Sequence, residues 1–119
     1  MRIRKETALS PRSPTTLNRI EFLVLAVLAD GPRHGYGIVQ DIKHRTMDEV
    51  AIRPGSLYRV LDRLVRMRLI SPADDGPSKN DERRTDYEIT EQGKAGLLAE
   101  ARLLSSVASD VLAGREKPA

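Results

Sequence analysis

The 119-residue chain has no cysteine and no tryptophan, one phenylalanine, three tyrosines and two histidines. Without cysteine there is no disulfide to staple the fold and no thiolate to hold a metal. The histidines, His34 and His44, fall at opposite ends of one short helical segment and cannot share a metal ion. No metal or other cofactor is therefore expected. Ser56 has no histidine placed near it in the pattern, and the acids Asp74 and Asp75 sit in a polar loop where solvation is the default. These gaps argue against an enzyme. No apolar run approaches the roughly 20 residues that a membrane helix needs. The first residues lack the apolar stretch of a signal peptide, so no membrane association and a cytoplasmic location are expected. Strong charge of one sign is also missing. The formal net charge is +3, so the placement of the basic groups matters more than their sum.

They are concentrated in residues 53–70. Between Arg53 and Arg68 stand five arginines and one acid. Leu57, Leu61 and Leu64 recur at helical spacing with Val60 beside them, which makes one apolar stripe. Arg59, Asp62, Arg63 and Arg66 lie away from it. Pro54 and Gly55 break what precedes, and Ser56 is the expected N-cap. One face of this helix belongs in a core. The other offers guanidinium groups, a phenol and a hydroxyl, an inventory suited to the phosphates and base edges of double-stranded DNA. A solvated arginine-rich face is the plain alternative.

The rest of the chain supplies the context. Residues 1–16 read as a polar, basic arm with breakers at Pro11 and Pro14. Residues 17–29 form a first helix, with an apolar surface wide enough for burial on more than one side, and Asp30-Gly31-Pro32 ends it. A second helix covers about residues 36–46. Residues 47–52 are a short connection with some strand character. Two helices, a short connection and a third helix make the helix-turn-helix order. Leu69-Ile70-Ser71 begins a short strand, residues 74–82 are a loop, and residues 84–90 alternate with the period of a half-buried strand. Strand, loop and strand make a two-stranded β wing.

Thr90 is placed to cap a long last helix, residues 91–113. Its apolar residues Leu97, Ala101, Leu104, Ala108 and Val111 step by 4, 3, 4 and 3, the spacing of a heptad seam. The globular part before it is nearly complete, so the stripe needs a partner, and a second copy of the chain is the expected one. The alternative is that the helix folds back on its own domain. Residues 114–119 read as a frayed tail. The expected architecture is mainly α: a winged helix-turn-helix over residues 17–90, followed by a dimerisation helix.

Three motifs carry a resemblance to a known family. Phe22-Leu23-Val24-Leu25 is followed by Gly31-Pro32-Arg33-His34-Gly35-Tyr36-Gly37-Ile38. Pro54-Gly55-Ser56-Leu57-Tyr58 is followed by Leu61 and Arg63-Leu64. Last come Arg83-Arg84, Tyr87, Ile89-Thr90 and Gly93. Across roughly residues 17–98 the chain resembles the PadR family of bacterial transcriptional regulators, in its short form with a single C-terminal helix. The resemblance implies a homodimeric DNA-binding repressor that a small ligand releases in some members. It also exposes a departure. Where the family usually ends the third helix with Gly, this chain has Arg68, and a left-handed backbone there would cost a non-glycine residue up to about 1 kcal/mol. Some short-form members stack flat drugs on a tryptophan at the dimer centre, which this chain lacks.

Individual roles follow. Ser56 and the backbone N–H groups around it are expected to hold a phosphate. Tyr58 either bonds a phosphate, touches a base or packs in the core. Arg59 is the candidate for a base edge, since guanidinium can pair with both acceptors of guanine. Arg63 is either a second DNA contact or an internal partner to an acid such as Asp62 or Glu49. His34 and Tyr36 stand where helix-turn-helix proteins meet the DNA backbone, with packing an equal reading for Tyr36. Lys79, Arg83 and Arg84 are the wing candidates. A small aromatic effector, if one binds, would find its cleft between the first helices and the C-terminal helices of a dimer, walled by Phe22, Leu25 and Leu98. The rival to DNA binding is a winged-helix module that binds another protein.

Overall fold

The structure is a computed structural model, and it describes residues 16–73 and 85–114. Four helices and three short strands follow in order: α1 (Arg19–Leu28), β1 (Arg33–His34), α2 (Gly35–Arg45), α3 (Pro54–Arg66), β2 (Ile70–Ala73), β3 (Asp86–Ile89) and α4 (Glu91–Gly114). This is the winged helix-turn-helix that the sequence pattern implies, with one strand more than expected.

α1 starts two residues later than its apolar pattern, because Asn18 and Glu21 close a capping box. The Asn18 Oδ1 accepts the Glu21 N–H at 2.8 Å, and Glu21 Oε1 accepts the Asn18 N–H at 3.0 Å. Two of the helix's orphan donors are thereby satisfied reciprocally. Val24, Leu25, Val27 and Leu28 of α1, Ile38 and Ile42 of α2, and Leu57, Leu61 and Leu64 of α3 meet in one core, which Leu17, Leu69 and Ile70 complete. Truncating one of the α3 leucines to alanine would cost about 2–5 kcal/mol by lost transfer and the cavity left behind.

α3 begins differently from the expectation. Its N-cap is Arg53, which makes no side-chain cap bond, and Pro54 is the first helical residue. Proline fits there because its missing N–H would have had no intrahelical partner and its φ is already helical. Ser56 is thus inside the first turn and does not cap it. The connection before it, residues 47–52, forms no strand. Met47 and Asp48 take positive φ, 51° and 68°. The Asp48 N–H reaches the Lys43 carbonyl at 2.8 Å and the Met47 N–H the His44 carbonyl at 3.2 Å, the reversal that closes a helix C-terminus on a left-handed residue.

The end of α3 uses the same device. Arg68 has φ 65°. The Leu69 N–H reaches the Leu64 carbonyl at 3.0 Å and the Arg68 N–H the Val65 carbonyl at 2.9 Å. The helix therefore keeps the left-handed ending although its usual glycine is an arginine. Thr90 fastens this turn to α4. Its hydroxyl donates to the Arg68 carbonyl at 2.8 Å and accepts the Gly93 N–H at 2.9 Å, while its own N–H reaches the Leu69 carbonyl at 3.0 Å. Gly93 is buried so close to that carbonyl that a methyl group on it would collide with the Leu69 backbone.

The unforeseen strand is β1. The sheet order is β1-β3-β2, all antiparallel, with Arg33 opposite Tyr87 and Ile70 opposite Ile89. β3 is central, so Pro72 lies on an edge strand, where a missing N–H leaves no ladder bond broken. The first part of α4 packs on α1 and β3. Leu97 rests against the core of its own protomer. From residue 102 onward every described residue of α4 is exposed, Leu104 (44%) and Val111 (60%) among them.

Candidate nucleic-acid interface

α3 presents two opposed faces. Leu57, Leu61 and Leu64 are buried, and Arg53, Ser56, Arg59, Asp62, Arg63 and Arg66 are exposed. The open face begins at the helix N-terminus, where a methyl on Gly55 would meet nothing within 4 Å. Backbone N–H groups without helical partners there make a site for an anion. Arg59 makes no ion pair or hydrogen bond with any described residue, so its guanidinium is available. Arg66 pairs with Asp62 one turn back. Such exposed pairs contribute little to stability, and this one leaves Arg66 on the same face.

Arg63 has a partner, and it is neither Asp62 nor Glu49. The Nε of Arg63 lies 2.7 Å from Oε2 of Glu21 on α1. The Glu21 side chain is 2% exposed, against 57% for Arg63. The N–H does not point along the contact, so the attraction is that of opposed charges and Oε2 has no hydrogen bond among the described residues. Glu21 is not among the positions that the sequence pattern singles out. Its signal was present: an acid inside an apolar run, three residues after an asparagine.

Tyr58 is half-buried and leans over α2. A methyl built on Gly35 would lie 2.8 Å from its hydroxyl oxygen and 3.1 Å from the ring carbon that carries it. On its other side opens a groove of about 420 Å³ between α3 and the sheet, lined by Tyr58, Asp62, Val65, Pro72, Thr85 and Tyr87. His34 and Tyr36 are both exposed at the start of α2, with ring centroids 6.5 Å apart and planes 23° from parallel. Tyr36 is 66% exposed, so packing in the core is not its role.

A charged cluster fixes the turn that holds these rings. The Nε of Arg33 bonds Asp41 at 3.0 Å, its Nη1 bonds the Gly31 carbonyl at 2.8 Å, and Arg45 bonds both Asp41, at 3.0 Å, and Asp30. The hydrogen bond from Arg45 is the main cause that holds the Asp41 carboxyl below its ordinary value. Burial opposes it, and the charges of Arg45 and Arg33 add to it. The Arg45 guanidinium is held above its ordinary value, first by Asp30 and then by Asp41. No local period announced this cluster, since its members come from the turn after α1, from β1 and from α2.

The other expected positions are placed as follows. Lys79, Arg83 and Arg84 lie outside the described residues. Of the proposed effector wall, Leu25 is fully buried within its own protomer and offers no atom to a cleft, because the α1 face that carries it is covered by the domain core. Phe22 is half-buried, and Leu98 is exposed at 53%. Of the seam residues, Leu97 is engaged on its own core, Ala101 is half-buried, and Leu104, Ala108 and Val111 are exposed. Among the described residues no group of acids and histidines could hold a metal ion, and no helix is long and apolar enough to cross a membrane.

Comparison with known proteins agrees with this geometry. Residues 24–99 match the transcriptional regulator PadR-like family. Over 86 residues the chain is 33% identical to an uncharacterised protein of Lysinibacillus sphaericus, covering 72% of this chain and 78% of that protein. The fold is shared with a PadR-like transcriptional regulator from Bacillus cereus, with a TM-score of 0.69 at 21% identity, over 83% of this chain and 93% of that one. It is also shared with a transcriptional regulator from Clostridium thermocellum, with a TM-score of 0.67 at 23% identity, over 77% and 85% of the two chains. A family match across the helix-turn-helix, the wing and the start of α4 settles the class: the chain belongs to the PadR-like family of transcriptional regulators, a family of regulators and not of enzymes.

Proposed function

We propose that the protein is a repressor that binds an inverted repeat in double-stranded DNA as a homodimer, with α3 in the major groove. The observation that carries this reading is the division of α3 into a buried leucine stripe and an open face that holds Ser56 and an unpaired Arg59 beside a free helix N-terminus. Arg59 reads a base edge, and Ser56 with the first-turn N–H groups holds a phosphate. Tyr58, propped on Gly35, and the His34–Tyr36 pair meet the backbone to either side. The exposed leucines and valines of the second half of α4 favour a second copy as partner, because two-fold pairing covers the same patch on both subunits. Two α3 helices then address major grooves about one helical turn, roughly 34 Å, apart. A planar aromatic effector would enter between α1 and the paired α4 helices, against Phe22 and Leu98, and release the DNA.

Selection of bound duplexes from a random pool tests the reading, followed by salt titration of the winner. An inverted repeat with half-sites one turn apart is expected, with affinity that falls steeply with salt as phosphate contacts release counterions. Binding that is insensitive to salt, or no enrichment of any sequence, would instead favour the winged-helix module that docks on another protein through apolar surface.

A further inference from the structure

Glu21 is a buried carboxylate in the middle of the apolar run that opens α1. One of its oxygens, Oε1, is used by the capping box. The other, Oε2, has no hydrogen bond among the described residues, and the one cation beside it is the Arg63 guanidinium at 2.7 Å. A carboxylate that is 2% exposed needs an opposite charge nearby, since burial without one is costly. Arg63 is exposed on the open face of α3, one turn after Arg59 and two turns after Ser56. From there its side chain reaches Glu21 on α1.

Resting on the DNA-binding reading above, we propose that Glu21 is a positioning residue that withholds Arg63 from DNA. The buried carboxylate draws the Arg63 guanidinium onto α1 and neutralises its charge. The phosphate-facing charge of α3 then comes from Arg53, Arg59 and Arg66 without it. The capping box supports the assignment, because it fixes the Glu21 side chain at the start of α1 and leaves Oε2 on the side of α3. The contact also ties the recognition helix to α1. The partial exposure of Arg63, 57%, leaves it room to swing outward once the carboxylate charge is gone.

Salt titration of DNA affinity separates this from a merely structural role, because its slope counts the phosphates neutralised: about 0.9 per contact on B-form DNA. Glu21→Gln keeps an oxygen for the capping box and removes the charge. Its slope should steepen by about one contact per protomer, two per dimer, so that its affinity falls about twelvefold more than that of the wild type between 50 and 200 mM salt. Glu21→Gln combined with Arg63→Ala should return the slope to the wild-type value, with no charge left buried alone. An unchanged slope in Glu21→Gln overturns the proposal. So does a double variant whose slope falls below that of the wild type, which would mean that Arg63 already holds a phosphate. Should Glu21→Gln not fold, Arg63→Ala alone decides: a wild-type slope supports the proposal, and a slope lower by about one contact overturns it. A wild-type protein that binds no duplex overturns the DNA-binding reading, and this proposal falls with it.

Discussion

The phenol of Tyr58 on the recognition helix rests on the backbone of Gly35 at the start of α2, and a single methyl group on Gly35 would come within 2.8 Å of its oxygen. The glycine is therefore the floor on which the tyrosine is set. Gly35→Ala should displace the ring and cost about 1–3 kcal/mol of stability by overpacking. It should also weaken DNA binding. With Tyr58→Ala in the same chain the stability cost should largely vanish, because the two changes share one contact. Thermal unfolding of the two single variants and the double variant measures the coupling. Strictly additive effects would show that the contact carries no energy.

Arg59 is the exposed guanidinium of α3 without a partner among the described residues. If it pairs with a base, Arg59→Ala should cost about 1–3 kcal/mol on the preferred site and relax the choice at one base position. Titration against a set of single-position operator variants reads this directly. An equal loss on every sequence would make Arg59 a phosphate contact.

The left-handed turn at Arg68 predicts a stabilising change. Glycine at that position removes the steric cost of φ 65°, and Arg68→Gly should raise the unfolding free energy by up to about 1 kcal/mol. The side chain is exposed, so little packing is lost in exchange. A lower unfolding midpoint for the glycine variant would mean that the arginine contributes something beyond its backbone.

Acid should loosen the cluster around α2 through Asp41. Its carboxyl is held below the ordinary value of 3.8, chiefly by the hydrogen bond from Arg45. A folded-state value below the unfolded one means that the stabilisation is fully present above the unfolded value and is lost as pH falls through the folded one. Asp41→Asn should therefore lower stability at neutral pH and flatten the acid side of the profile. The effect should be modest, because the side chain is 21% exposed and solvent screens it. Unfolding midpoints measured from about pH 6 to pH 2 test this, and profiles of parallel shape for the two proteins would contradict it.

The dimer seam is tested by a charge. Leu104 is 44% exposed and lies outside the core of its protomer. Leu104→Asp should leave that core folded and separate the subunits. A single module makes fewer phosphate contacts than two, so affinity for the inverted repeat should drop by a factor on the order of 10³ or more. Sedimentation together with DNA titration reads both effects. A variant that stays dimeric refutes the seam, and a monomer that binds at full strength refutes its link to recognition.

What the sequence determined by itself is the order and kind of the main elements. Leu57, Leu61 and Leu64 in α3 and the alternation around Tyr87 in β3 are local periodic signals, and burial on one face is what creates such periods. The glycine, proline and serine around residue 55 marked the start of α3, but not which of them does what, because a cap depends on backbone angles that differ by one residue. Arg68 was legible as an anomaly, and its left-handed φ could be stated in advance as a condition. The tertiary structure alone decided the rest. β1 has two residues and no period of its own; it is a strand because β3 lies beside it. The same holds for Leu25, which the wide apolar face of the first helix offered as a cleft wall and which the packed core buries completely. Glu21 and Arg63, or Gly35 and Tyr58, are far apart along the chain, and nothing local couples them. They meet because the core seats α3 across α1 and α2, and only that packing decides which arginine of the recognition helix is free and which is held.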